Sequence, residues 1–173
     1  QYCVQTLTER GYVFIGMDHF AKPDDELSIA LKEGFLQRNF QGYSTYADCD
    51  LVAIGVSSIG KIGSTYSQNE RDIDAYYAAL DAGHLPIMRG YQLNQDDILR
   101  RNIIQDLMCR FSLDYQIYES VFGIPFSRHF AAELEDMKQL ETLGLVRLKP
   151  NSLTVTPKGR FLIRNIAMVF DYH

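Results

Sequence analysis

Three places in the chain carry residue types that could do chemistry. Residues 39–45, NFQGYST, set an aromatic ring and an amide side by side. Phe40 and Gln41 could stack on and hydrogen-bond an adenine or a carboxylate, or they could equally plug a gap between a helix and a sheet. Asp18 and His19 are neighbours, and on a regular strand their side chains point to opposite faces, so they share a cavity only if the strand ends at Met17. In that case either could shuttle a proton or bind a carboxylate; the plainer reading is a capping Asp and a packed His. Residues 55–62, GVSSIGKI, miss the phosphate-loop pattern at its eighth position. Ile62 has no hydroxyl for magnesium, and Gly63 follows where a helix would have to begin. Its glycines suit a tight turn at a strand end or a close approach of backbone to a ligand.

Cys3, Cys49 and Cys109 lie too far apart for a local metal motif, and an odd number argues against a disulfide framework. They read as buried or idle thiols in a reducing, cytoplasmic setting. An iron–sulfur cluster needs closely grouped thiolates, so the chain cannot hold one by itself, and no metal ligand is assigned. His84, His129 and His173 have no partner at ligand spacing and carry no assigned chemistry.

The elements that must position these residues follow from the apolar pattern. Val4 and Leu7 stand at helical spacing ahead of Gly11, so the chain opens inside a helix and reads as a fragment. Residues 12–17, YVFIGM, form an unalternating apolar run that suits a strand covered on both faces. Pro23 and the acids Asp24, Asp25 and Glu26 open a helix whose Leu27, Ala30, Leu31 and Phe35 share a face. Residues 51–56, LVAIGV, read as a second buried strand. Strand, helix, strand is a βαβ unit with parallel strands, and two parallel strands leave open edges, so this unit would close a larger α/β sheet or barrel.

From about residue 65 the pattern turns helical: residues 73–82, 96–111, 112–122 and 127–143, then short strands at 145–148 and 152–155 joined through Pro150-Asn151, then a last helix after Pro157. Helix, helix, hairpin, helix is a winged-helix pattern. The expected fold is α/β in its lead-in and α+β taken whole, with a boundary between residues 64 and 65.

Composition excludes several classes. The 173 residues are 46% hydrophobic and 23% charged, and no apolar run approaches the roughly 18 residues of a bilayer span, as expected of a soluble globular protein. Of the net charge of −5, all the excess acid lies in residues 1–92, with seven Lys and Arg against twelve Asp and Glu; residues 93–173 carry ten of each. Neither half is a basic nucleic-acid patch, and Glu133, Glu135, Asp136 and Glu141 crowd the helix that would have to enter a groove.

Residues 16–27, GMDHFAKPDDEL, and 38–45, RNFQGYST, closely resemble the oxygen-independent coproporphyrinogen III oxidases, a radical S-adenosylmethionine family, and the resemblance runs through the whole chain. It implies a partial TIM-like barrel ending near residue 64, followed by a helical, winged-helix-like domain near the cavity mouth. It also implies that Phe40, Gln41 and Ile59 contact S-adenosylmethionine, with Phe40 and Gln41 in a loop over the active-site cavity. The family uses two S-adenosylmethionine molecules and a [4Fe–4S] cluster to convert two propionates of coproporphyrinogen III to vinyls, giving protoporphyrinogen IX for haem biosynthesis. The cluster motif is missing here, so the fragment alone is expected to be inactive, while the complete enzyme is expected to be a monomer served by an electron donor. The competing readings are a non-catalytic winged-helix interaction module and a haem-binding relative of the family.

Overall fold

A computed structural model describes residues 2–46 and 49–172. They form two compact units, the first made of the residues up to 46 together with those from Leu99 onward, the second running from Cys49 to Ile98. Each chain segment enters its unit through short elements set by local chemistry.

Helix α1 (Tyr2–Glu9) leads into β1 (Val13–Gly16), which turns back at once into β2 (His19–Ala21). The pair is antiparallel, with Gly16 opposite His19, and Met17 at a φ of 55° makes the reversal. Helix α2 (Glu26–Glu33) begins where the Asp25 carboxylate accepts from the Leu27 N–H at 2.9 Å, and it ends at Gly34. A second small hairpin follows, β3 (Gln37–Asn39) and β4 (Gly42–Ser44).

The second unit is a three-stranded antiparallel sheet of β5 (Ile59–Ile62), β6 (Thr65–Asn69) and β7 (Ile87–Gln92), in that spatial order, with α3 (Ile73–Asp81) between β6 and β7 in the chain. Between residues 49 and 98 only Gly60, Asn69 and Pro86 are buried. Hydrogen bonds therefore define this unit more than apolar packing does.

The remainder of the first unit comprises α4 (Gln95–Arg110) from Leu99 onward, β8 (Ser112–Asp114), α5 (Tyr115–Phe122), α6 (Phe126–His129), α7 (Ala131–Thr142), β9 (Val146–Lys149), β10 (Ser152–Val155) and α8 (Ile163–Ala167), with a 3₁₀ turn on either side of α8. The three strands form a sheet in the order β8-β10-β9. Leu99, Ile103 and Leu107 bury one side of α4 against a core that includes Ile15 of β1 and Leu36 just before β3. Phe126 stacks on Tyr115 at 4.2 Å between ring centroids, and Phe130 meets Phe170 edge-on at 5.4 Å. Each side chain of this size contributes roughly 1.5–3 kcal/mol when fully buried.

The expected βαβ unit is not formed. Every strand pairing among the described residues is antiparallel. The 12–17 run stops at Gly16 because the chain reverses there and pairs with β2. Residues 51–56 form no strand beyond one bridge from Leu51 to Lys61, because their carbonyls are met by a side chain: Asn69 Nδ2 donates to Ala53 O at 3.3 Å and to Gly55 O at 3.0 Å. The compact units divide near residues 47 and 98, whereas a cut between 64 and 65 would sever the β5–β6 hairpin. The C-terminal hairpin lies where Pro150-Asn151 placed it; β8 was absorbed into an expected helix, and Phe130 interrupts another.

Candidate functional site

Phe40 and Gln41 are the two connecting residues of the β3–β4 hairpin, flanked by the pair Asn39 and Gly42. Asn39 Oδ1 accepts from the Gln41 N–H at 2.8 Å, so the side chain before the turn fixes the turn itself. Both central side chains remain outside: Phe40 is 57% exposed, and Gln41 is exposed as well. Neither fills a gap between helix and sheet.

The base of this turn is held from below. Tyr43 Oη donates to the Met108 carbonyl at 3.1 Å, one of the last carbonyls of α4, which have no partner within the helix. Its ring pairs across the hairpin with Arg38, whose guanidinium lies 5.9 Å from the ring centre. Gln105 of α4 donates to Gln37 Oε1 at 3.0 Å and ties the first strand to the same helix. Burial pushes the Tyr43 phenol up to about 12, with Cys109 and Asp18 adding to the rise and Arg38 opposing it. Cys109 is itself pushed up to about 12 by burial, so its thiol stays protonated.

Two glycines let the first hairpin interlock with the second. A Cβ on Gly16 would collide with the Tyr43 hydroxyl, and a Cβ on Gly42 would stand 3.3 Å from His19 Nε2. Gly42 also has a φ of 135°, which other residues rarely adopt. The imidazole of His19 meets the Tyr43 ring edge-on at 5.2 Å. Asp18 Oδ1 lies 2.9 Å from His19 Nδ1, an ion-pair contact outside hydrogen-bond alignment. The strand does end before Met17, so Asp18 and His19 escape strict alternation. Sequence reasoning missed Tyr43, Gly16 and Gly42 as a set; the signal available was a glycine in each of the two motifs.

Ile59 stands in the second unit, half-buried as the first residue of β5, opposite Gln68. The loop before it reverses at Gly55 (φ 103°) and Ser57 (φ 60°). Asn69 and the Tyr76 hydroxyl, which accepts from the Gly55 N–H at 3.1 Å, hold that loop. Thus Phe40 and Gln41 come together on one turn, while Ile59 belongs to a separate unit.

A *Synechocystis* protein named oxygen-independent coproporphyrinogen III oxidase is 50% identical over 175 residues, covering 99% of this chain and 38% of that protein. The *Escherichia coli* K12 protein of the same name is 47% identical over 171 residues, covering 99% of this chain and 37% of its own length. A solved structure of coproporphyrinogen III oxidase (HemN) from *Escherichia coli*, described as a radical SAM enzyme, superposes with a TM-score of 0.95 at 46% identity, over 99% of this chain and 40% of that one. The chain is similar to the C-terminal part of oxygen-independent coproporphyrinogen III oxidases. It spans about two-fifths of the length of these relatives. The family of the HemN C-terminal domain matches residues 93–162, from the residue after β7 to the 3₁₀ turn before α8. The longer matches to the oxidases also take in both interlocked hairpins and the loop before Ile59.

Three of the four acids of α7 are engaged locally. Glu133 pairs with Arg100 at 2.7 Å, Glu135 with Lys138 at 2.5 Å, and Glu141 accepts from the Leu148 N–H at 2.6 Å. Cys3 and Cys49 are exposed and Cys109 is buried. Among the described residues, no group of three or more His, Cys, Asp and Glu side chains is placed to hold a metal ion. No helix among them is long and apolar enough to cross a membrane.

Proposed function

We propose that this chain supplies part of the cofactor and substrate lining of an oxygen-independent coproporphyrinogen III oxidase, the enzyme that converts two propionates of coproporphyrinogen III to vinyls and yields protoporphyrinogen IX. S-adenosylmethionine, bound at a [4Fe–4S] cluster, supplies a hydrogen-abstracting 5′-deoxyadenosyl radical in this class. The residues at hand suit the S-adenosylmethionine. Phe40 offers an exposed ring face for stacking, Gln41 an amide for hydrogen bonds, and Ile59 an apolar wall. They do not suit the cluster, whose ligands need grouped thiolates, and no step is assigned to it in this chain.

The match over 99% of the chain at a TM-score of 0.95, with Phe40 and Gln41 presented on a fixed turn, carries this reading. On it, the chain closes part of a TIM-like barrel and carries a winged-helix-like cover. The β8-β10-β9 order, with α5 to α7 preceding the hairpin, supports the latter. The complete enzyme is then a cytoplasmic monomer that takes an electron from a donor and contacts neither nucleic acid nor a membrane. The test is an anaerobic assay of the complete enzyme, reconstituted with iron and sulfide, for CO₂ release and protoporphyrinogen formation. Turnover that depends on S-adenosylmethionine is expected; an enzyme that binds S-adenosylmethionine and coproporphyrinogen III but releases no CO₂ would overturn the reading.

A further inference from the structure

Asp18 and His19 are singled out by the sequence and left unused by the reading above, yet they sit against the turn that carries it. The Asp18 carboxylate oxygen, 2.9 Å from Nδ1 but out of hydrogen-bond alignment, favours the ring proton on that nitrogen through its negative charge. In the neutral ring, Nε2 then presents its lone pair. Nδ1 is enclosed, the side chain is 39% exposed, and no hydrogen bond from Nε2 occurs among the described residues. Tyr43 meets the ring edge-on and restrains it, and Gly42 lacks the side chain whose Cβ would stand 3.3 Å from Nε2. Gly42 directly follows Gln41. The result is an aimed, unused acceptor one residue from the proposed ligand-contacting turn, backed by a carboxylate whose side chain is 86% exposed.

Resting on the function proposed above, we propose that His19 Nε2 accepts a hydrogen bond from an N–H group of the bound ligand, with Asp18 fixing the tautomer and adding negative charge that favours a cationic donor. Two donors share this chemistry: the ammonium group of S-adenosylmethionine and a pyrrole N–H of the porphyrinogen. A substrate carboxylate fits less well, since Asp18 would repel it.

The experiment uses the complete reconstituted enzyme with His19→Phe, which keeps an aromatic edge against Tyr43 but has no acceptor, and His19→Gln, whose amide oxygen can accept. Dissociation constants for S-adenosylmethionine and for 5′-methylthioadenosine, which lacks the amino-acid portion, are measured with KM, kcat and melting temperature. If the ammonium is the donor, His19→Phe weakens S-adenosylmethionine about tenfold to a hundredfold and leaves 5′-methylthioadenosine unchanged. If a pyrrole N–H is the donor, KM for the porphyrinogen rises by a similar factor while both dissociation constants hold. In either case His19→Gln recovers most of the loss. An active wild type with His19→Phe equal to it in all these constants overturns the assignment, as does a loss in both variants that tracks melting temperature. A wild type that binds neither ligand overturns the underlying function instead.

Discussion

The Tyr43 hydroxyl occupies the space that a side chain on Gly16 would need. Hairpin β1–β2 and hairpin β3–β4 are therefore fitted to each other at this hydroxyl, which also reaches through to the Met108 carbonyl of α4. Gly16→Ala should cost roughly 1–3 kcal/mol through overpacking, and Tyr43→Phe about 1–2 kcal/mol through the abandoned carbonyl. Because removing the hydroxyl frees the space, the double variant should be less destabilised than the two single costs combined. Urea denaturation of all four proteins measures this coupling, and strict additivity would show that the two residues do not share that space.

In the complete enzyme, Phe40→Ala, Gln41→Ala and Ile59→Ala should weaken S-adenosylmethionine about tenfold to a hundredfold, the equivalent of roughly 1–3 kcal/mol for a lost stacking face, hydrogen bond or apolar wall. Phe40 and Gln41 are exposed, so melting temperature should barely move for those two. Cofactor binding by calorimetry and thermal melts on the same samples decide it. Normal binding with a lowered melting temperature would make these residues structural.

Asn69 is 4% exposed and its amide serves two carbonyls of the loop before Ile59. Asn69→Ala should cost about 1–3 kcal/mol, and Asn69→Asp more, since a carboxylate would face two carbonyl oxygens. Hydrogen exchange should show faster amides in residues 53–58 in both variants, and unchanged exchange there would remove the clamp role.

Tyr43, Tyr115 and Cys109 are each pushed up to about 12 by burial. Unfolded, they ionise from their ordinary values of 9.0 for the thiol and 10.0 for the phenols. Their contribution is therefore intact below pH 9 and is lost as pH climbs toward 12, where the unfolded chain sheds protons the folded one keeps. The urea midpoint should fall steadily across that window, with a smaller fall in Cys109→Ala. A midpoint that stays flat up to pH 12 would contradict it.

Much of the first unit's C-terminal half was legible because its signals are local. Pro150-Asn151 marks the β9–β10 turn. The βαβ misreading came from two apolar runs whose fate is decided by non-local partners. The run at 12–17 ends in a reversal made by Met17, a residue type that gives no turn signal. The run at 51–56 is satisfied by Asn69, more than a dozen residues away. Phe40 and Gln41 were visible as chemistry from their types alone, but the turn that presents them needed Asn39 and Gly42 in register.

The Tyr43–Met108 contact joins residues 65 positions apart, with the whole second unit synthesised in between. At roughly 5–20 residues per second of translation, the helix that seats Tyr43 emerges about 3–13 s after it. During that interval the turn bearing Phe40 and Gln41 has no seat. A nascent chain is thus unable to present its proposed ligand contacts until α4 has left the ribosome, which ties the birth of binding competence to the order of synthesis.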